Sequence, residues 1–157
     1  MITAPMAGAG QVISGPVEAE ILRVIDGDTV QVRAFIWPGH SVETHVRLAD
    51  VDAPEIRRVE CEAEREAGRA AKTFVEEMLM PGSQPGARVH LNNITLGSFA
   101  GRVIASIALP GGEDLGALLL EEGLATDYGA RGGWCPALES SLESSLETAQ
   151  EASASRS

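Results

Sequence analysis

Apolar residues recur at every second position in three successive stretches, and this spacing limits the front half of the chain to paired strands. Val17, Ala19 and Ile21 alternate with Glu18 and Glu20 in a run that ends at Ile25. Asp26-Gly27 then reads as a hairpin turn. In the second stretch Val30, Val32, Ala34 and Ile36 share one face, and Gln31 and Arg33 share the other. Pro38-Gly39 ends it. The third stretch sets Val42, Thr44, Val46 and Leu48 against Glu43, His45 and Arg47. That alternation turns Arg47 away from the core, toward solvent or a ligand.

The period then changes. Pro54 stiffens a loop with acids at both ends, Asp52 and Glu55. A helix is expected from Glu62 to Leu79, with Ala63, Ala67, Ala70, Ala71, Phe74, Val75 and Met78 as its apolar stripe. Pro81-Gly82 stops it. Strands are expected over residues 87–94 and 101–109, the second with Val103, Ala105, Ile107 and Leu109 inward and Arg102 on the opposite face. Asp114 can cap a short helix carrying Leu115, Leu118 and Leu119, which Gly123 ends. A last helix starts near Pro136, with Leu138, Leu142 and Leu146 as a narrow seam. Residues 1–16 read as a flexible arm, 17–150 as one domain, and 151–157 as a disordered tail. The pattern alone gives a small mixed β/α domain.

At 157 residues the chain can bury roughly 70% of its unfolded surface, enough for a core without staples. No apolar run is long enough for a membrane span. Residues 1–16 contain no Lys or Arg, so the charged start of a secretory signal is missing. The expected compartment is the cytoplasm by default, or the periplasm or exterior if the start is processed. Net charge is −11, whereas a protein gripping long duplex DNA by its phosphates is normally basic. Any nucleic-acid contact must therefore be local, carried by a few arginines and a metal. His40, His45 and His90 are scattered, and no Cys/His set has zinc spacing.

Three short motifs carry the chemistry. They are Asp26-Gly27-Asp28-Thr29, then Arg47-Leu48-Ala49-Asp50-Val51-Asp52-Ala53-Pro54-Glu55, then Gly101-Arg102. Each has a plain reading: a turn acid, an exposed strand arginine, a common dipeptide. In this order and spacing the chain resembles the staphylococcal nuclease (thermonuclease) family over roughly residues 18–128. The resemblance implies an oligonucleotide/oligosaccharide-binding barrel of five strands with about three α-helices, mainly β with packed helices.

It also implies a calcium-dependent nuclease that hydrolyses phosphodiesters of DNA or RNA by in-line attack of water, on single-stranded or locally open substrate, as a monomer. Asp28 and Asp52 would be the calcium carboxylates, and the Ala53 carbonyl a further ligand. Glu55 matches the general base, although a carboxylate there could instead orient water. Arg47 and Arg102 match a phosphate clamp, whose planar forks suit bidentate contact. Tyr128 falls near the implied nucleotide surface. Asp26 reads as serving the turn, and Asp50 as facing solvent. Where family members often carry lysine and tyrosine before Gly-Arg, this chain has Phe99 and Ala100. The charge and hydroxyl that help hold a nucleotide are therefore absent.

Two other classes stay open: a noncatalytic nucleic-acid-binding module on the same barrel, and a protein-interaction domain suggested by the acidic balance and the leucine seam. Cys61 and Cys135 each precede a helix, and the implied fold brings those helix starts to one side of the barrel. This makes them a disulfide candidate, with two unrelated reduced thiols as the alternative.

Overall fold

The structure, a computed structural model, describes residues 10–130 and 132–136. Its strands are β1 (Val17–Asp26), β2 (Thr29–Trp37), β3 (His40–Leu48), β4 (Val51–Asp52), β5 (Arg88–Leu96), β6 (Arg102–Ala108) and β7 (Thr126–Asp127). Two α-helices, α1 (Glu62–Leu79) and α2 (Leu115–Glu121), are seen among the described residues. The third expected helix, from Pro136, and the tail lie outside them. Ahead of β1, the Ile13 and Ser14 carbonyls accept the Ile94 and Asn93 amides.

The strands close a barrel in the order β1-β2-β3-β6-β5. All its pairings are antiparallel except β3 with β6. Ile21, Val30, Val32, Val46, Leu48, Val89, Leu91, Ala105 and Ile107 fill the interior. Burying each of the larger side chains contributes roughly 1.5–3 kcal/mol. The chain is thus mainly β, with a closed five-stranded barrel and helices packed on it.

Alternation fails in two places, each for a local reason. β1 slips register between Ile21 and Arg23, so the inward position moves from Ile21 to Val24. Ile36 and Val42, expected inside, are exposed. β6 pairs with β3 only from His45 onward, so the β2–β3 hairpin tip projects past the barrel.

On α1 the buried face is Gly68, Ala71, Val75 and Leu79, while Ala63, Ala70 and Met78 of the expected stripe are exposed. Gly68 is the point of closest approach. A Cβ there would lie 2.6 Å from the Glu55 carbonyl oxygen and 2.8 Å from that of Pro54. α1 therefore packs directly on the Pro54-Glu55 loop. At the other end Asp114 caps α2 by accepting the Ala117 amide at 2.9 Å, and Gly123 leaves the helix at φ 68°. Buried Leu115 and Leu119 join the core, and Gly116 lets α2 lie against Val51 of β4. Both edges of the acid-bearing loop are fixed by helices.

Candidate active site

The β1–β2 turn is the first support of the site. Gly27 is needed there for space rather than for positive φ. A Cβ on it would sit 2.7 Å from the Ala71 Cβ and 2.9 Å from the Ala53 Cβ. The turn is thus pressed between α1 and the loop after β4. It presents Asp28, whose side chain is almost buried. Asp28 Oδ1 accepts the Thr29 hydroxyl at 2.9 Å, and Oδ2 accepts the Ala53 amide at 3.1 Å.

β3 brings Arg47 to this turn, because Thr29 and Arg47 are register partners and the Leu48 amide donates to the Asp28 carbonyl at 2.8 Å. Asp50 then takes a left-handed conformation, φ 63°, and the chain leaves the barrel for β4. β4 pairs with β7, setting Asp52 beside Thr126, and the Tyr128 amide donates to the Asp50 carbonyl at 2.9 Å. Asp50 side-chain exposure was expected and is seen, but its backbone also anchors Tyr128.

The result is a shared ion pair. Arg47 Nη2 lies 2.8 Å from Asp52 Oδ1 and 3.4 Å from Asp28 Oδ2. Two carboxylates from distant parts of the chain point at one nitrogen. The guanidinium also lies 5.1 Å from the Tyr128 ring centre. Across a cavity of about 360 Å³, lined by Arg47, Tyr128, Phe99 and Ile104 among others, stands Arg102. Its guanidinium lies 4.8 Å from the Phe99 ring centre, and among the described residues no carboxylate pairs with it.

Glu55 does not border that cavity. It lines a separate one of about 260 Å³ with Asp26, Arg57 and Lys72. A third cavity, of about 330 Å³, lies between them: it shares Phe99 and Arg102 with the first, and Ile25 and Asp26 with the second. Asp26 thus does more than serve the turn, where its Oδ1 accepts the Asp28 amide at 3.3 Å. Burial, then the charge and side-chain hydrogen bond of neighbouring Asp28, pushes its carboxyl up to about 6. Neither Asp26 nor Phe99 stood out in the sequence as lining a shared cavity wall. The hint for Phe99 was its departure from lysine at that position.

Oxygen donors are the right class for a hard cation such as calcium, and Asp28 and Asp52, whose carboxylates meet at Arg47 Nη2, supply them. Asp28 is pre-positioned by the Ala53 amide, and the two carboxylates already share one positive charge. The residues therefore fit a calcium ion, although no group of three acidic, His or Cys side chains gathers at metal distance among the described residues. Cys61, the N-cap of α1, is joined to Cys135 in a disulfide with Cα atoms 5.9 Å apart.

A family model described as Staphylococcal nuclease homologue matches residues 45–155. The chain belongs to that family. No curated protein matches the chain. The family match begins at His45, so the Asp26–Thr29 turn is tied to the matched part by geometry, through Asp28, Arg47 and Ala53. Nucleases are among the members of the staphylococcal nuclease family, and nucleic-acid binding is general in it.

Proposed function

We propose that this protein is a calcium-dependent nuclease acting on single-stranded or locally open DNA or RNA. The observation that carries the reading is the convergence of Asp28 and Asp52 on Arg47 Nη2, at the rim of a cavity that Arg102, paired with no acid among the described residues, also lines. Asp28, Asp52 and the Ala53 carbonyl would hold calcium, which when bound supplies positive charge to the phosphate oxygens and a place for water. Arg47 and Arg102 grip the phosphate and offset charge that grows on its oxygens as the water oxygen bonds to phosphorus and the leaving oxygen departs. Glu55 takes the proton of that water. Tyr128 supports the nucleotide by offering an exposed ring for a base.

A noncatalytic binding module is the competing reading, and it draws on the separation of Glu55 from the arginine-lined cavity. One assay decides between them. A labelled single strand incubated with the protein and calcium should be cut, and chelator should stop the cutting. Binding without cutting in calcium would favour the module.

A further inference from the structure

The middle cavity shares Arg102 with the site above but is otherwise unused by that reading. It is close in size to its neighbour, about 330 against about 360 Å³. The wall between them is the Phe99 ring with Arg102 over it. Phe99 is 67% exposed at the β5–β6 hairpin with the Arg102 guanidinium over one face, and the neighbouring Ala100 adds no bulk beside it. His45 also lines this cavity and stands next to Arg102, because the two are register partners in the parallel β3–β6 pairing. The Thr29 side chain and Asp26 complete the floor.

The chemistry selects among occupants. Asp26 disfavours a phosphate inside this cavity but suits an amino or hydroxyl donor. Arg102 at the boundary suits a phosphate there. The Phe99 face and the His45 imidazole suit a flat aromatic ring. We propose that the middle cavity is a second nucleotide subsite, with Phe99 wedged between successive bases of one strand and Arg102 moving off the ring face to the phosphate that links them. Paired bases could not part around the ring without unstacking, so the arrangement selects an unpaired strand. The inference rests on the nuclease reading for its substrate, but its own test can be read without cleavage.

The test uses a short single strand with one cleavable linkage, carrying either a base or an abasic residue on each side of it. Removing the base on either side should lower kcat/KM of the parent protein about tenfold, within the range stacking supports. His45→Ala should show a similar loss with both bases present, and no further loss once the base on its own side is absent. Phe99→Ala should weaken the response to both bases. A parent that responds to one base alone, or a His45→Ala effect that persists without the base, would overturn the subsite. If the parent cuts no strand, the nuclease reading fails and the subsite is decided by fluorescence. A strand with 2-aminopurine at either position should be quenched on binding, and Phe99→Ala should abolish both signals. Quenching at a single position, or no binding, would overturn the proposal.

Discussion

Arg47 occupies the place where its two acids most need positive charge. Its Nη2 bridges Asp28 and Asp52, so a calcium ion bound there would have to take over both carboxylates. Arg47→Ala removes that competitor, and its calcium affinity is expected to equal or exceed the parent's. Asp28→Ala removes a proposed ligand and should weaken calcium at least tenfold while the barrel still folds, since the core is apolar. Calorimetric titration compares them, and an equal weakening in both variants would contradict this division of roles. Asp26 gives a second expectation. Its folded-state carboxyl titrates near 6, above the ordinary value of 3.8, so the folded protein holds this proton more tightly than the unfolded chain. That contribution to stability is present below about pH 4 and is lost as pH rises through about 6. Allowing for partial solvent screening, it amounts to about 1–2 kcal/mol. Metal-free Asp26→Asn should therefore gain stability relative to the parent between pH 4 and pH 7. Parallel pH–stability curves for the two proteins would refute it.

α1 matters to the site through one glycine. Gly68→Ala would gain about 1 kcal/mol of helix propensity, but its Cβ would meet two backbone oxygens that cannot rotate away. Overpacking of that kind typically costs about 1–3 kcal/mol, so the loop must move or the helix must lift. Either displaces Glu55, and cleavage should slow by about tenfold or more. A parent-like rate would show that α1 does not position the loop. Gly68 also marks the limit of what the sequence displays. The helix span and its stop could be read from Glu62, Leu79 and Pro81, yet the expected stripe runs through Ala63, Ala70 and Met78. Those alanines satisfy helical spacing as well as the true face does, and a buried glycine carries no apolar signal. The strands were legible from alternation until a bulge shifted Val24 inward and the hairpin tip outran its partner strand. Asp28, Arg47 and Asp52 could be picked out by motif, but that one guanidinium nitrogen bridges both acids depends on the β3 register. Asp26 and Phe99 as cavity walls depend on how the loops close over the barrel, which no local spacing encodes.

Across the molecule, an acidic protein still offers free cationic groups: among the described residues Arg23, Arg57, Arg58, Arg69 and Arg102 pair with no carboxylate. Arg33, Arg65, Lys72 and Arg88 each hold a carboxylate of their own, whereas Arg102 stands unpaired by any acid among the described residues. The Cys61–Cys135 bond acts at the same scale, tying the segment after β7 to the start of α1 across 74 residues. A loop of that length is worth about 4 kcal/mol in the chain-entropy account, a large share of an ordinary domain's stability. Reduction should lower the melting temperature by about 10 °C, and an unchanged melt with both thiols free would contradict it.

The central claim is that these arginines and acids form a phosphodiester-cleaving site that needs calcium. Cleavage of a labelled single strand by the parent and by Arg102→Ala, each with calcium and with chelator, tests it most directly. Losing one preorganised charge contact typically costs about 3 kcal/mol of barrier, or about two decades in rate. The expected result is calcium-dependent cutting by the parent and cutting about 100-fold slower by a normally folded Arg102→Ala. Equal rates for the two proteins, or no calcium-dependent cutting by the parent, would contradict the account.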